Sequence, residues 1–389
     1  MTEDARAENA FRAAGSIKSC VERILDMSAD KKIWKVAIVG CGDIAENSYM
    51  AQMHRNKRAE VVACCDIKPE RAAHISQKYG VPHVYTDVDA LLAGEDFDIF
   101  MDTASIPNHY ALNMKALKAG KHLYSQKPIG LTVEQATDMI EAAKTSGVKF
   151  AASPIHMLRP DIQEAKRLIA QGVLGKITHI RAVTAHGGPE YFQYRVNDPT
   201  WFYEPGAGVI YDLGVHALHM VTGVLGPAKA VSCMAAVSQP KRTIRSGNFD
   251  GKTIASDQLY DNYMIHLDFG GGIIGDVMAN FCTKATVAPP LEIYGEYGAI
   301  IFGAERASQM KVYIDNPGQK IRGWIEQQPQ ERPGGEFYQA YVITDLIEAV
   351  EEDRQPVLRA EHARHVIEIM CKVEECAKDG AVRELVTTF

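Results

Sequence analysis

Lys35-Val36-Ala37-Ile38-Val39-Gly40-Cys41-Gly42-Asp43-Ile44-Ala45, with Asp66 closing the next apolar run, is the stretch on which the fold turns. A short buried-strand pattern ends in G-x-G-x-x-A and passes into helical spacing. A second apolar run, Glu60-Val61-Val62-Ala63-Cys64-Cys65, delivers a carboxylate about 20 residues on, as a dinucleotide fold requires. The residue types follow from that chemistry. Gly40 permits the tight turn, Gly42 lets backbone approach a pyrophosphate, and Ala45 lets helix and strand pack closely. The helix start at Asp43 and Ile44 offers unpaired N–H groups to the phosphates. Glycine-rich turns are common, so the ordered series of strand, turn, helix, strand and acid carries the reading. A carboxylate at Asp66 accepts hydrogen bonds from both ribose hydroxyls and repels a 2′-phosphate, which favours NAD over NADP. Lys68 and Arg71 stand close by, and Arg71 is grouped with the cofactor residues.

A chain of 389 residues exceeds one typical core, so two domains are expected. Apolar content of 46% and charged content of 23% suit a soluble globular enzyme. The net charge of −7 argues against a nucleic-acid or anionic-membrane surface. No apolar run approaches the roughly 18 residues needed to span a bilayer. Eight scattered cysteines without a C-x-x-C pair read as reduced thiols in a cytoplasmic protein. Residues 1–32 carry no secretory apolar core, and from about Asp4 to Asp26 they show helical spacing; they form either a partly disordered tail or an amphipathic helix packed on this domain or a neighbouring subunit.

Residues 33–153 alternate short apolar strands with helices, the pattern of a doubly wound parallel sheet. Expected strands cover 34–39, 61–65, 84–85, 99–102, 122–124 and 149–152. After Pro154 the character changes to long β-branched stretches at 177–185, 230–237, 260–269, 272–281, 291–294 and 311–314. Helices are expected at 162–170, 209–225, 336–352 and 361–378. Residues 154–389 therefore read as an α+β domain with a large, mostly antiparallel open sheet. Such a sheet leaves an apolar face that a second subunit can cover, so a homo-oligomer, dimer or tetramer, is expected.

Three clusters can do chemistry. Ser105-Ile106-Pro107-Asn108-His109 follows the fourth strand, at the carboxyl end where parallel sheets bind ligands. Asn108 can bond a ribose or amide, or simply cap a helix. Tyr124-Ser125-Gln126-Lys127-Pro128 holds a lysine at the fifth strand's end, where an ammonium can stabilise a developing alkoxide or stay solvated. Gly206 to His216 places Asp212 and His216 four apart on one helical face, either a surface pair or an acid–base unit in which the aspartate orients the imidazole. A metal held by Asp212, His216 and His219 lacks a further ligand at matched spacing, so no metal is expected.

Together these clusters resemble the Gfo/Idh/MocA oxidoreductases, relatives of glucose–fructose oxidoreductase and inositol dehydrogenase. The resemblance runs from about Lys35 to near the last residues. It rests on G-x-G-x-x-A at 40–45, P-N-H at 107–109, Lys127-Pro128 and D-x-G-x-H at 212–216, with Arg159-Pro160 and Ile169–Ile177 opening the second domain. It implies Lys127, Asp212 and His216 as the catalytic set, with His216 the base, Asp212 orienting it and binding substrate, and Lys127 anchoring the reacting hydroxyl. It further implies that Gly40, Gly42, Asp43, Ile44, Asp66, Arg71, Ser105, Pro107, Asn108, Gln126 and Lys127 contact NAD. Gln126 stands where the family usually has glutamate, which removes a charge beside Lys127. His156, Trp201 and Tyr203 either face the substrate or pack loop and core. The loop from Tyr191 to Arg195, together with residues 201–203, offers aromatic surfaces suited to a pyranose.

Three activities compete on this sequence. The first is NAD-dependent oxidation of a secondary alcohol of a sugar, glycoside or cyclitol. The second is redox-neutral glycoside cleavage, in which tightly bound NAD transiently oxidises the sugar. The third is a non-enzymatic sugar or NAD sensor on the same fold, against which the retention of Lys127, Asp212 and His216 speaks.

Overall fold

The computed structural model describes residues 32–191, 198–245, 247–303, 310–318, 320, 322–327 and 339–389. The expected N-terminal arm, apart from residue 32, and residues 192–195 of the aromatic loop lie outside the described residues.

Strand β1 (Trp34–Val39) buries Val36, Ala37 and Ile38 completely, which a strand covered on both faces requires. It lies central in a parallel sheet with β2 (Ala59–Cys65), β3 (His83–Tyr85), β4 (Ile99–Asp102), β5 (His122–Ser125) and β6 (Phe150–Ala152). The spatial order is β3-β2-β1-β4-β5-β6. That order reverses beside β1, so the crevice for a ligand opens at the carboxyl ends of β1 and β4. Helices α1 (Pro69–Tyr79), α2 (Val88–Gly94), α3 (His109–Lys118) and α4 (Val133–Ser146) connect the strands. Local chemistry sets their ends: Asp87 caps α2 by accepting from Ala90 N at 2.8 Å, and Gly147 stops α4 at φ +67°.

Beyond α5 (Pro160–Ala170), a nine-stranded sheet is built on β7 (Ile177–Ala185) as its middle strand. On one side lie β12 (Ile273–Asn280), β11 (Asn262–Gly270), β8 (Ala230–Ala236) and β17 (Arg383–Glu384). On the other lie β13 (Leu291–Gly295), β14 (Gly298–Ile301), β15 (Met310–Asp315) and β16 (Arg322–Gln327). Within this second sheet only β7 and β12 pair in parallel among the described residues. A separate hairpin joins β9 (Lys241–Thr243) to β10 (Thr253–Ala255). Helices α6 (Val215–Leu225) and α8 (Ala360–Asp379) cover one face, and α8 also packs on α4. Helix α7 (Tyr341–Glu351) returns to β5 and β6, and Trp34 Nε1 donates to its Glu351 at 3.1 Å.

Both expected sheets are present. Strands β9, β10, β14, β16 and β17 fall outside the expected stretches, β14 and β16 for different reasons. Strand β14 is only four residues long, and β16 is an edge strand whose residues, Trp324 and Ile325 included, are largely exposed and lack alternation. The expected helix at 209–225 opens with a wider π-type turn, Ile210–Gly214, before becoming α6. Residues 336–338 of the expected helix at 336–352 lie outside the described residues, and α7 begins at Tyr341. Among the described residues, no helix is long and apolar enough to cross a membrane.

Candidate active site

Gly40 has φ +89°, and a Cβ there would lie 2.5 Å from the Ala104 backbone, so two chain segments cross at a separation only glycine allows. Gly42 is different: a Cβ there would meet nothing nearer than the Arg71 guanidinium, at 3.9 Å. The loop is thus tight beneath and open above, which fits a pyrophosphate resting on Gly42 and the N–H groups that follow. Asp66 holds this shape, accepting from Cys41 N and Lys68 N, both at 2.8 Å. The Gly40→Ala variant should lose roughly 2–4 kcal/mol of stability, from left-handed strain plus the clash. Thermal melts with and without NAD check this, and an unchanged midpoint would show that the crossing is loose.

Two buried residues absent from the expected set anchor the adjoining loop. Asp102, at the end of β4, receives Ala104 N at 2.9 Å and pairs with His109 Nδ1 at 2.6 Å. That pair pins the start of α3, so the loop at 105–108 leaves the strand in one direction. Asn108 Nδ2 donates to Ser105 Oγ at 2.8 Å, and Pro107 sits in the short turn Ile106–Asn108. Ser105, Pro107 and Asn108 therefore form one braced turn beyond the carboxyl end of β4.

Beyond β5, Gln126 turns inward. Its Nε2 donates to the buried Tyr49 hydroxyl, and its Oε1 accepts from Lys127 N at 3.1 Å. Both ends of the amide are spent on the protein, and a neutral group suits so buried a place. Lys127 points the other way and crosses to the second domain. Its Nζ donates to the Asp212 carbonyl at 2.9 Å and to Asp212 Oδ1 at 3.2 Å.

The expected pairing of Asp212 with His216 is not found. No hydrogen bond joins them among the described residues, because Lys127 takes Asp212 and a second imidazole takes His216. His156 Nε2 lies 3.0 Å from His216 Nδ1, with the rings edge to face at 5.1 Å. An N–H···N bond between imidazoles needs one donor and one acceptor, so at least one of the two rings is neutral. Burial holds His216 well below the usual histidine range, with the Lys127 ammonium adding to the effect. Burial does the same to His156, and His216 and Arg159 add to it. The His156 pairing was not legible beforehand: the partners are 60 residues apart and no periodicity links them.

Strand β7 steadies the helix that bears Asp212 and His216, as Thr184 Oγ1 donates to Leu213 O at 3.1 Å. His186 stacks on Phe281 with centroids 5.0 Å apart. Trp201 stacks on the buried Phe202 and keeps 37% of its surface exposed. Tyr203 is buried and donates to Glu190, which makes it a core residue.

Residues 34–153 match the oxidoreductase family with an NAD-binding Rossmann fold, and residues 162–301 match the GFO/IDH/MocA C-terminal domain. D-glucoside 3-dehydrogenase of Escherichia coli (strain K12) is 30% identical over 291 residues, 73% of this chain and 80% of that protein. Levoglucosan dehydrogenase of Pseudarthrobacter phenanthrenivorans is 25% identical over 284 residues, covering 67% and 69%. Among solved structures, levoglucosan dehydrogenase in complex with NADH and L-sorbose superposes with a TM-score of 0.78 at 19% identity, covering 91% of this chain and 99% of that one. The last likeness establishes the fold.

Proposed function

The chain belongs to the Gfo/Idh/MocA family of NAD-binding oxidoreductases, and on that premise we propose that it oxidises a secondary alcohol of a sugar, glycoside or cyclitol with His216 as base. The observation that carries the reading is the meeting of Lys127, from the end of the first domain's β5, with Asp212 from the second. A neutral His216 stands close enough for the Lys127 charge to act on it. The names of the relatives, a D-glucoside 3-dehydrogenase and a levoglucosan dehydrogenase, support the substrate class.

In this reading Gly42, the N–H groups at Asp43 and Ile44, Asp66 and the Ser105–Asn108 turn hold the dinucleotide. When bound, its nicotinamide supplies the acceptor for hydride. Lys127 donates to the substrate oxygen and stabilises the negative charge that grows as the carbinol C–H bond breaks. The hydroxyl proton passes to His216 Nε2, since Nδ1 is engaged by His156. The resulting imidazolium donates its Nδ1–H to His156 Nε2, which spreads the charge without moving a heavy atom. Asp212 balances Lys127 and is placed to accept from a neighbouring hydroxyl. Trp201 offers a stacking plate for the ring.

His216→Asn should lower kcat by roughly 10²–10⁴-fold with little change in NAD affinity. It should also abolish the acid limb of the oxidation rate. Because burial keeps the base neutral well below its usual range, that limb in the wild type lies on the acid side of pH 6.5. Turnover near wild type would remove His216 from the mechanism. The substrate is found by screening inositols, monosaccharides, anhydrosugars and glycosides for reduction of NAD and, in parallel, of NADP. NAD is the expected cofactor on account of Asp66, and preferential NADP reduction would transfer that role to Arg71.

The outer face of the second sheet supports self-association. Met234 and Met264 stand opposite one another across β8 and β11, and Ile274 adds an exposed apolar side chain on β12. A homo-oligomer formed through this face is the proposal, and a monomeric mass by light scattering would dismiss it. The seven described cysteines are free thiols, in keeping with a reducing, cytoplasmic setting.

A further inference from the structure

Strands β7 and β12 run parallel, so their carboxyl ends leave the sheet on the same side, beside Asp212. Just beyond them is a cavity of about 180 Å³ to which the mechanism assigns no role. Its wall combines the loop after β7, the loop after β12 and the β9–β10 hairpin. The charge on that wall is lopsided: Lys241, Arg242, Arg245 and Lys284 face a single carboxylate, Glu190. That carboxylate is already used, because Arg242 donates to it at 2.8 Å and Tyr203 also bonds it. Arg242 is satisfied further by Asp261 at 2.7 Å and the Phe281 carbonyl at 2.9 Å.

The other three cations have no carboxylate partner among the described residues. Arg245 and Lys284 both lie over the Tyr191 ring, at 5.1 and 5.8 Å from its centroid. Like charges gathered on one ring in a chain of net charge −7 repel one another, and an anion between them relieves that repulsion. The pocket also adjoins the site already described. Gly187 in its wall follows His186, which is near enough to Asp212 to feel its charge. Glu190 and Tyr203 link it to the Trp201 segment.

We propose that this cavity is an anion subsite that receives a carboxylate or phosphoryl group carried on the sugar substrate, so that the enzyme accepts sugar acids or sugar phosphates in preference to their neutral counterparts. The proposal rests on the sugar-oxidation reading for the identity of the ligand's body, and on the cation cluster for its charge. Lys284 and Arg245 would grip the anionic oxygens, with Lys241 at the entrance and Tyr191 as the apolar floor.

The test uses the full chain and an Arg245→Ala/Lys284→Ala double variant. Both residues are exposed, so the variant should keep the wild-type melting temperature. Calorimetric titration with D-glucuronate, D-glucose 6-phosphate and inorganic phosphate is run beside NAD-reduction kinetics on D-glucose and D-glucuronate. Wild type should bind glucuronate with an affinity that falls as salt rises. The variant should bind it at least roughly tenfold more weakly, with KM raised by a similar factor for glucuronate alone. Binding of phosphate with neither glucuronate nor D-glucose 6-phosphate would overturn the substrate subsite in favour of a site for a free anion. Absence of binding by any of these anions to the wild type would overturn it altogether. Glucuronate binding that the variant loses, with no sugar reducing NAD, would uphold the subsite and defeat the dehydrogenase reading. Glucose turnover without any anion binding would do the reverse.

Discussion

Lys127→Ala is expected to lower kcat by roughly 10³-fold while leaving NAD affinity within a few-fold of wild type. The ammonium is three-quarters or more shielded from water and donates to two oxygens of Asp212, so water cannot take its place at the same charge. Two losses combine. The developing alkoxide loses its cation, and Asp212 is left as an uncompensated carboxylate beside the reacting oxygen. A third consequence sets a catalytic role apart from a structural one. The Lys127 charge helps to hold His216 below its ordinary range, so its removal should shift the acid limb of the rate profile to higher pH. Lys127→Arg, which keeps the charge, should leave that limb near its wild-type position. A loss smaller than about tenfold in the alanine variant, with no shift of the limb, would remove Lys127 from the reacting group.

The second large effect is acid lability. His156, His216, His219, His362 and His365 sit around helices α6 and α8, and every one is held below the usual histidine range, chiefly by burial. His219 and His365 come down to about 4. Glu368 pulls His365 upward and Arg364 pulls it down, while Lys166 and the neighbouring imidazoles lower His362. An unfolded histidine titrates near 6.5, so below that pH the unfolded chain binds more protons than the folded one. The stabilisation is therefore complete above about pH 6.5 and drains away as pH falls toward 4. His219 alone accounts for about 3 kcal/mol by pH 4, a large fraction of a typical domain's stability. Urea unfolding at pH 7.5, 6 and 5 should show a steadily falling midpoint, and a flat midpoint would mean that these imidazoles charge freely in the folded state.

Much of this molecule could be read from residue order. The glycine turn, Asp66 and the alternation of strands with helices marked out the first sheet, because a strand buried on both faces must be a continuous apolar run. Lys127 and Asp212 could be named since each occupies a place where chain geometry presents a side chain to a crevice. The partner of His216 could not. Helical spacing puts Asp212 and His216 on one face, yet spacing does not say that a lysine from another domain claims the aspartate first. His156 lies in a short turn with no pattern of its own. The cations of the anion pocket come from two distant segments, the β9–β10 hairpin and the loop after β12, and no period links them. Strand β16 escaped for a related reason: an edge strand need not bury anything.

The parallel pairing of β7 with β12 also bears on how the protein comes to exist. Lys127 meets Asp212 across 85 residues, Thr222 meets His362 across 140, and Trp34 meets Glu351 across 317. Strand β7 cannot take its place in the sheet until β12 and β13 have both been synthesised. A nascent chain must therefore keep its first sheet without its α7 cover, and β7 with open edges, until late in synthesis. Contacts of such separation slow folding and prolong the exposure of strand edges. Catalytic competence should thus arrive in one late step, when the returning helices clamp both sheets. Slow refolding from denaturant, with aggregation at high concentration, is the cost of a reaction centre divided between distant parts of the chain.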